Sequence, residues 1–466
     1  MVAKRSISTI LMFPYIAHGH VFPFFELAKK LSKKNFHIYF CSTSVNLDSV
    51  RQHLENLPSN DGCEINTLSI ELVELRLPAP PELPPIYHTT KNVPPHLMQT
   101  LKAAFHASSS IFSDILAMLN PDLLIFDLLQ PWSARLATSK DIPSVYFLTS
   151  GSAGLSFDHH LFSYGKFDNF PFLPSICLKD YELKASIESA KEFPQDVALA
   201  DDEDGFMFGV FRLSHDIVIA KTCRAIESKY MDYLSSLCRK KIVPTGPLVT
   251  VPDSISEPII EWLDMKEPSS TLYISFGSES YLSGDQMRQL AKGLELARVD
   301  FIWVVRSPVG MEDHPADNEL PEGFVERSTV TRRGMILRDW APQAEILAHP
   351  SVGGFVSHCG WSSVIESIYF GVPVLGVPLK YDQPLNCRLV VEAGVGVEVG
   401  RGENGEFDGE KVARAIEEVV FGGEGFRVRV RELSKKMRME EDEGDEVADE
   451  LRKLIIRSNM KSSAAV

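Results

Sequence analysis

The sequence is poor in the features that mark secreted and membrane-spanning proteins. Its 7 cysteines are scattered without a C-x-x-C pair, and no N-x-S/T sequon occurs. The apolar run near the N-terminus is short and is interrupted by Pro14 and nearby histidines, unlike a secretory signal peptide. No window is long and apolar enough for a membrane-spanning helix. These absences predict a cytoplasmic protein with reduced thiols.

Positive charge is also scarce. Asp and Glu number 63 against 47 Lys and Arg, so the formal net charge is -16 at pH 7. This balance excludes a nucleic-acid-binding protein that depends on neutralising phosphates. If the protein binds an anionic ligand, local backbone N–H groups and helix dipoles must hold it.

The length and apolar content indicate a globular protein of two domains. The chain has 466 residues, too many for one ordinary hydrophobic core, and 44% of them are hydrophobic. Short β-rich runs alternate with helical segments in two series. Most runs are apolar throughout, as in parallel strands that helices cover on both faces. The pattern predicts an α/β fold with two Rossmann-like, doubly wound parallel sheets facing a cleft.

The predicted strands divide at a segment rich in proline and small polar residues. The strands of the first series are 8–13, 37–43, 68–75, 122–127, 144–149 and 216–222, and those of the second are 271–278, 301–306, 334–339, 353–358, 373–378 and 394–400. We predict a first domain over 1–243, a linker over 244–258 and a second domain over 259–445. Residues 446–466 are predicted to form a C-terminal helix and tail whose apolar side chains pack on one domain.

The stretch SHCGWSSVIES, residues 357–367, lies at a predicted strand-to-helix junction. Helix N-termini at the carboxyl edge of a parallel sheet offer free N–H groups, and Gly360 lets the backbone approach an oxyanion. Two interpretations are open: a phosphate site at 358–363, or a serine N-cap beside a packed tryptophan. Glu366, one turn further, can reach a ribose hydroxyl. Ser278, in the glycine turn SFGSES, can donate to a diphosphate or only stabilise the turn.

Three other interpretations of short motifs are weaker. The run GVGVEVG at 394–400 lacks the G-x-G-x-x-G spacing, which argues against a nicotinamide-dependent oxidoreductase. Cys359 beside His358 suggests a cysteine nucleophile, but adjacent side chains diverge, and a buried thiol is favoured. The acidic run at 201–204 can hold a metal, although an exposed loop is favoured. We therefore predict no metal site.

A histidine pair and an aspartate follow two predicted strands of the first domain. His18 and His20 lie in the loop after the first strand, and Asp127 ends another strand at the same sheet edge. A lone loop histidine is usually a surface residue. A histidine oriented by a carboxylate, however, is the usual general base for deprotonating a hydroxyl near neutral pH.

One stretch of 44 residues, from Trp340 to Gln383, is highly specific. It reads WAPQAEILAHPSVGGFVSHCGWSSVIESIYFGVPVLGVPLKYDQ. It closely resembles the signature box of plant UDP-dependent glycosyltransferases of secondary metabolism, through WAPQ, HCGW, the glutamate, GVP and the final DQ. The resemblance extends over nearly the whole chain, through PYIAHGHVFP, PDLLIFDLLQPW and LYISFGS. It implies the two-domain GT-B fold and an inverting, metal-independent sugar transfer from a UDP-sugar.

The resemblance assigns donor-binding roles to residues of this box and its surroundings. It implies that Trp340 stacks on uracil and that the backbone of Ala341 reads the edge of the base. Gln343 and Glu366 would hold the ribose. The residues matched to diphosphate contacts are Ser278, His358, Ser362 and Ser363. The residues matched to sugar contacts are Trp361, Asp382, Gln383 and, less closely, Thr149.

The resemblance also assigns the catalytic roles. His20 matches the family's general base, and Asp127 matches the acid that orients it. An acceptor hydroxyl would lose its proton to His20 and attack the anomeric carbon opposite the diphosphate, so an α-linked donor would give a β-linked product. Ser362 departs from the family pattern, which has asparagine after HCGW. Because serine is shorter, we expect Ser362→Asn to raise kcat/KM for the sugar donor.

The sequence thus predicts a cytoplasmic, monomeric glycosyltransferase that uses UDP-glucose. Trp361 and Gln383 match glucose-using members of the family. Residues 35–50, the run PPIYHTTKNVPPHLMQTLKAAF and SFGSE are similar to the subgroup that extends sugars already attached to an aglycone. We therefore predict a small-molecule glycoside as acceptor, with a free aglycone as the alternative. A catalytically silent UDP-sugar-binding protein is a further alternative, against which intact His20 and Asp127 argue. Neither a nucleic acid nor a membrane is an expected partner.

Overall fold

Two parallel β-sheets form the framework of the molecule. The computed structural model describes residues 7–55, 68–190, 205–250, 257–307, 319–338, 341–440 and 443–464. The strands are β1 (Ser8–Phe13), β2 (Phe36–Ser42), β3 (Ile70–Glu74), β4 (Leu123–Phe126), β5 (Ser144–Leu148), β6 (Ile217–Ala220), β7 (Lys241–Pro244), β8 (Thr271–Ser275), β9 (Asp300–Val304), β10 (Gly334–Leu337), β11 (Val352–Ser357), β12 (Val374–Gly376) and β13 (Gly396–Glu398).

The strand orders are those of doubly wound α/β sheets. The first sheet has the order β3-β2-β1-β4-β5-β6-β7, and the second has the order β10-β9-β8-β11-β12-β13. Neighbouring strands pair in parallel in both sheets. The order reverses between β1 and β4 and between β8 and β11, and ligands of such sheets bind at the carboxyl ends of the strands at this point. The predicted fold class is confirmed.

The strand predictions fail at one place. Each predicted run overlaps a strand of the structure, but β7 was not predicted. Its sequence, KIVP, is only four residues long and stands beside the prolines and small residues that read as a linker. Because it lies at the edge of the sheet and pairs only with β6 among the described strands, it does not need a long apolar run. β7 includes Pro244, the first residue of the predicted linker.

Helices connect the strands and cover the faces of both sheets. They are α1 (His18–Lys33), α2 (Ser44–Glu55), α3 (Met98–Ala107), α4 (Ser109–Leu119), α5 (Pro131–Thr138), α6 (Ser152–Tyr164), α7 (Asp180–Ala190), α8 (Gly205–Leu213), α9 (Arg224–Cys238), α10 (Glu257–Asp264), α11 (Gly284–Ala297), α12 (Phe324–Val330), α13 (Gln343–Ala348), α14 (Trp361–Phe370), α15 (Gln383–Glu392), α16 (Gly409–Ile416), α17 (Glu424–Met439) and α18 (Glu443–Ala464). Short 3-10 helices occupy Pro85–Tyr87 and Pro95–Leu97, and a π-helical turn occupies Glu417–Phe421.

Alternation along β1 shows how the first sheet is buried on both faces. Leu11 belongs to one apolar core, whereas Ile10 belongs to the core on the opposite face. Val447 and Leu451 of α18 join this second core, so the C-terminal helix packs on the first domain. The helix begins at Glu443, three residues before the predicted tail. We propose that the domain boundary lies within 244–258, after β7, of which 251–256 fall outside the described residues.

Candidate active site

Four neighbouring strands of the first sheet end beside one another, and each is followed by a polar side chain. The strands are β1, β4, β5 and β6. His20 lies in the first turn of α1, and Asp127, Thr149 and Lys221 directly follow β4, β5 and β6. Because the carboxyl ends of parallel strands meet at one edge, the fold gathers these residues from distant parts of the chain.

His20 and Asp127 form a hydrogen-bonded pair. Nδ1 of His20 lies 2.8 Å from Oδ2 of Asp127, which is fully buried. The same oxygen accepts the backbone N–H of Tyr15 at 3.0 Å, and Oδ1 accepts that of Leu128 at 2.7 Å. Thr149 Oγ1 lies 3.2 Å from Nδ1 of the histidine. Because an ionised carboxylate only accepts, the proton of neutral His20 is on Nδ1, and Nε2 is left as the basic nitrogen.

The electrostatic surroundings of His20 favour its protonated form. Burial acts to lower the pKa of His20, whereas the charge and hydrogen bond of Asp127 act to raise it. Glu279 and Asp382 act in the same direction as Asp127, and the net result is a pKa above the ordinary histidine value. The arrangement thus stabilises the imidazolium that would form when His20 accepts a proton.

His18, two residues earlier, is in a different environment. Burial and the nearby Lys91 lower the pKa of His18 to about 4. Its ring packs edge-on against Phe22, with ring centroids 5.1 Å apart. Of the two histidines singled out from the sequence, His20 is therefore the one with the geometry of a general base.

The raised pKa of His20 predicts a specific pH dependence. A general base must be unprotonated, so we expect kcat/KM to fall as the pH decreases through the raised pKa of His20. The midpoint of this acid limb should lie above 6.5, the ordinary histidine value. The pH profile of kcat/KM, measured with an acceptor that does not titrate in this range, checks the expectation. An acid limb centred below 6.5 would contradict it.

In the second sheet, the first turn of α14 lies at the carboxyl end of β11. The N-cap of α14 is Gly360, and no side chain of the described residues caps this end. Trp361, Ser362 and Ser363 are the first three helical residues, so the serines are not N-caps and that interpretation is wrong. The N–H groups of this turn and the positive end of the helix dipole form an anion-binding arrangement.

His358 is packed between two glycines beside this turn. A Cβ atom on Gly277 would lie 2.8 Å from the His358 ring, and one on Gly360 would lie 2.5 Å from it. Burial and Lys380 lower the pKa of His358 to about 4, so the ring is neutral and donates through one nitrogen. Ser278 follows Gly277 in the turn after β8 and is half-buried. The loops after β8 and β11 thus meet at the switch point of the second sheet.

Gln343 and Glu366, which the resemblance assigns to the ribose, are hydrogen-bonded to each other. Gln343 Nε2 donates to Glu366 Oε2 at 2.7 Å and lies 3.2 Å from Ser363 Oγ. Ala341, just before α13, is buried. Trp340, which the resemblance places on uracil, lies outside the described residues.

Comparisons with known proteins match both halves of the chain. The family model "UDP-glucoronosyl and UDP-glucosyl transferase" matches residues 259–438, and the model "Glycosyltransferase, N-terminal domain" matches residues 6–250. The β-D-glucosyl crocetin β-1,6-glucosyltransferase of Gardenia jasminoides is 44% identical over 461 residues, which are 97% of this chain and 100% of the relative. The chain belongs to the UDP-glycosyltransferase family. A mogroside IIIx synthase of Siraitia grosvenorii is 46% identical, and the match covers 95% of this chain and 96% of that protein.

Solved structures agree with the fold of this UDP-glycosyltransferase. Glycyrrhiza uralensis UGT73P12, complexed with glycyrrhetinic acid 3-O-monoglucuronide, superposes with a TM-score of 0.81 over 99% of each chain at 22% identity. Phytolacca americana UGT2, complexed with UDP-2fluoro-glucose and pterostilbene, has a TM-score of 0.71 at 26% identity, over 96% of this chain and 99% of that chain. The GT-B architecture is thus confirmed.

Three residues matched to sugar contacts already make hydrogen bonds within this UDP-glycosyltransferase. Oε1 of Gln383 accepts the backbone N–H groups of Leu379 at 2.9 Å and Lys380 at 3.0 Å. Its Nε2 donates to Ser280 Oγ at 3.5 Å, so both ends of this amide contact the protein. The buried indole of Trp361 donates through Nε1 to the carbonyl of Lys221 at 2.5 Å. Asp382, beside Gln383, is half-buried and accepts from Asn386.

The interpretation of Cys359 as a buried thiol holds in the structure. The side chain is fully buried, and a hydrogen bond with Cys387, together with burial, raises its pKa well above the ordinary thiol value. Such a thiol is a poor nucleophile. The acidic run at 201–204 lies outside the described residues. Among the residues that the structure describes, no group of three potential ligands is arranged to hold a metal ion. Within the same ranges, no helix is long and apolar enough to cross a membrane.

Sequence reasoning missed two charged residues of the site. Lys221 is the second-last residue of the predicted strand 216–222, at the edge where the carboxyl ends of the strands meet. The reasoning that singled out Asp127 at this edge applies equally to Lys221. Glu279 directly follows Ser278, and its Oε1 accepts from Thr90 Oγ1 of the first domain at 2.6 Å. No sequence signal pairs Glu279 with Thr90, because the two are 189 residues apart.

Proposed function

We propose that this enzyme transfers glucose from UDP-glucose to a hydroxyl of a glycosylated small molecule, with inversion and without a metal. The observation that carries the proposal is the His20–Asp127 pair, which lies near Glu279 and Asp382 of the second domain. The proposed general base, His20 of the first domain, thus lies beside the loops of the second domain that contain Glu279 and Asp382. Two relatives are named glucosyltransferases, which supports glucose as the donor sugar, and the name of one of them contains a glycoside acceptor, glucosyl crocetin.

The geometry supports a direct displacement. Nε2 of His20 takes the proton of the acceptor hydroxyl, and the oxygen attacks the anomeric carbon from the side opposite the diphosphate. Asp127 holds the ring and stabilises the imidazolium. The departing UDP gains negative charge, which the first-turn N–H groups of α14 and the neutral His358 stabilise. Metal independence follows as a proposal, because these groups supply the electrostatic stabilisation.

Carboxyl groups around His20 favour an acceptor that carries a sugar. Glu279 lies close enough to His20 to raise its pKa, as does Asp382, which the resemblance matches to the donor sugar. On α6, burial and Asp382 raise the pKa of the half-buried Asp158 to about 7. Carboxyl oxygens bind sugar hydroxyls well, whereas a bare aglycone would leave them desolvated and unpaired. The relatives' names, which include glucosyl crocetin and flavanone 7-O-glucoside, agree with such acceptors.

The acceptor preference is testable with matched substrates. Given UDP-glucose and a pair consisting of an aglycone and its monoglucoside, we expect kcat/KM for the monoglucoside to be higher by about 100-fold or more. Mass spectrometry of the product should show one added hexose on the glycoside. Comparable values for the two acceptors would establish the aglycone alternative, and UDP binding without transfer to either would indicate a silent binding protein.

The donor is tested in the same assay. One relative at 42% identity is named a rhamnosyltransferase and another at 37% a glucuronosyltransferase, so the donor sugar varies among proteins of this similarity. The panel therefore includes UDP-glucose, UDP-galactose, UDP-xylose, UDP-glucuronate and UDP-rhamnose. The proposal requires the highest kcat/KM with UDP-glucose, retained in the presence of a metal chelator.

The cellular setting is also a proposal. The described cysteines, Cys41, Cys177, Cys223, Cys238, Cys359 and Cys387, are free thiols. This supports action in a reducing compartment, the cytoplasm. We propose a monomer, since both halves of the site come from one chain.

A further inference from the structure

Lys221 is a buried cation that reaches from the first domain to the donor side of the cleft. It follows β6 and exposes only 3% of its surface. Its Nζ donates to Ser362 Oγ at 2.5 Å, in the first turn of α14. Its backbone carbonyl accepts the indole N–H of Trp361, also at 2.5 Å. One residue of the first domain is thus held to α14 by two hydrogen bonds.

Within the described part of the chain, no carboxylate forms an ion pair with Lys221, although Glu366 and Glu26 act to stabilise its charge. The ammonium group has three N–H donors, and Ser362 Oγ is its hydrogen-bond partner among these residues. Burial lowers the pKa of Lys221 to about 8, against the opposing effects of Glu366 and Glu26, so it is charged at neutral pH. A buried charge is stable only when it is paired and hydrogen-bonded, and an anionic ligand of this site would supply that pairing.

We propose that Lys221 binds the diphosphate of the UDP-sugar beside Ser362, in place of the asparagine amide that the family pattern has after HCGW. The inference rests on the proposed function only in taking the first turn of α14 as the diphosphate site. His358 is neutral there, so Lys221 supplies the positive charge. It also stabilises the charge that develops on UDP as the bond to the sugar breaks.

This arrangement changes the expectation for Ser362. The longer asparagine side chain would enter the space that the Lys221 ammonium occupies, 2.5 Å from the serine oxygen. Ser362→Asn alone should therefore give no gain in kcat/KM. The gain should occur when Lys221→Met has removed the cation, because the amide can then reach the phosphate.

The test compares the binding of UDP and of uridine by titration calorimetry. Lys221→Met should weaken UDP binding by about 10- to 100-fold and leave uridine binding unchanged, because only UDP carries the diphosphate. It should raise KM for UDP-glucose and lower kcat, with little change in the acceptor KM. Lys221→Arg should retain most of the UDP affinity, and Ser362→Asn should partly restore it in the Lys221→Met background.

Lys229→Met is the matched control. Lys229 also joins the domains, through an ion pair of Nζ with Glu392 Oε1 at 2.5 Å, but it is half-exposed. The Lys229→Met substitution should leave the affinity for UDP unchanged. Equal losses of UDP and uridine affinity in Lys221→Met, at an unchanged melting temperature, would show a domain tether and overturn the proposal, as would unchanged UDP binding. A wild-type enzyme that binds no UDP would instead overturn the proposed function.

Discussion

Replacing His20 with alanine is expected to lower kcat by about 100- to 10,000-fold while leaving the Kd for UDP unchanged. The side chain lies in the first domain, and its Nδ1 is bonded to Asp127, also of the first domain. Its loss removes the acceptor of the hydroxyl proton and leaves the first turn of α14 intact. Steady-state kinetics with UDP-glucose and a glycoside, together with UDP titration, measure the two effects separately.

His18→Ala is the matched control for this experiment. His18 is the first residue of the same helix, but its pKa is lowered and its ring packs against Phe22. No carboxylate of the described residues pairs with it. Turnover of this variant should be close to that of the wild type. Near-normal turnover of His20→Ala, or an equal loss in both variants, would remove His20 from the catalytic role.

Asp127→Asn is expected to reduce kcat by roughly 100- to 10,000-fold and to destabilise the fold by about 1–3 kcal/mol. Both carboxylate oxygens accept backbone N–H groups, Oδ1 from Leu128 and Oδ2 from Tyr15. An asparagine amide must turn its NH2 toward one of these donors, so one buried N–H loses its acceptor. If the amide NH2 faces His20, Nδ1 of the histidine must accept a hydrogen bond, so the ring proton moves from Nδ1 to Nε2. Nε2 can then no longer act as the base. In either orientation the charge that stabilises the imidazolium is gone.

Substitution of a second aspartate, at the other end of β4, distinguishes an effect on catalysis from an effect on stability. Asp122 lies just before β4, at the opposite edge of the sheet, and its Oδ2 accepts from Thr9 N–H at 2.8 Å. Asp122→Asn should lower the denaturation midpoint without lowering kcat. An Asp127→Asn variant that loses stability but keeps the wild-type kcat would contradict the proposal that Asp127 orients His20.

The carboxyl-edge rule for parallel sheets accounts for most of what the sequence could predict. It predicts that His20 and Asp127 lie at one edge of the sheet, and the structure places them within hydrogen-bonding distance through His20 Nδ1. Thr149, which only the family resemblance singles out, lies at the same edge, 3.2 Å from that nitrogen. The same rule applies to Lys221, but a lysine that ends a strand usually points into solvent. Its burial depends on the approach of the second domain, which local pattern does not encode.

Other features depend on a shift of a single residue or on loop geometry. Whether Ser362 caps α14 or lies inside it depends on the residue at which the helix begins, and spacing alone does not set that residue. The hydrogen-bond partners of Gln383 depend on the conformation of the loop before α15, because the backbone N–H groups of Leu379 and Lys380 donate to its Oε1. Such contacts follow from tertiary structure.

The packing of α18 on the first sheet means that the chain crosses between the two domains twice. One crossing follows β7, and the other lies between α17 and α18. Any opening of the cleft to release products must therefore be accommodated by both connections at once, which favours a rocking of one domain against the other. The first domain is also a discontinuous folding unit: without Val447 and Leu451, one face of its sheet would lack part of its cover.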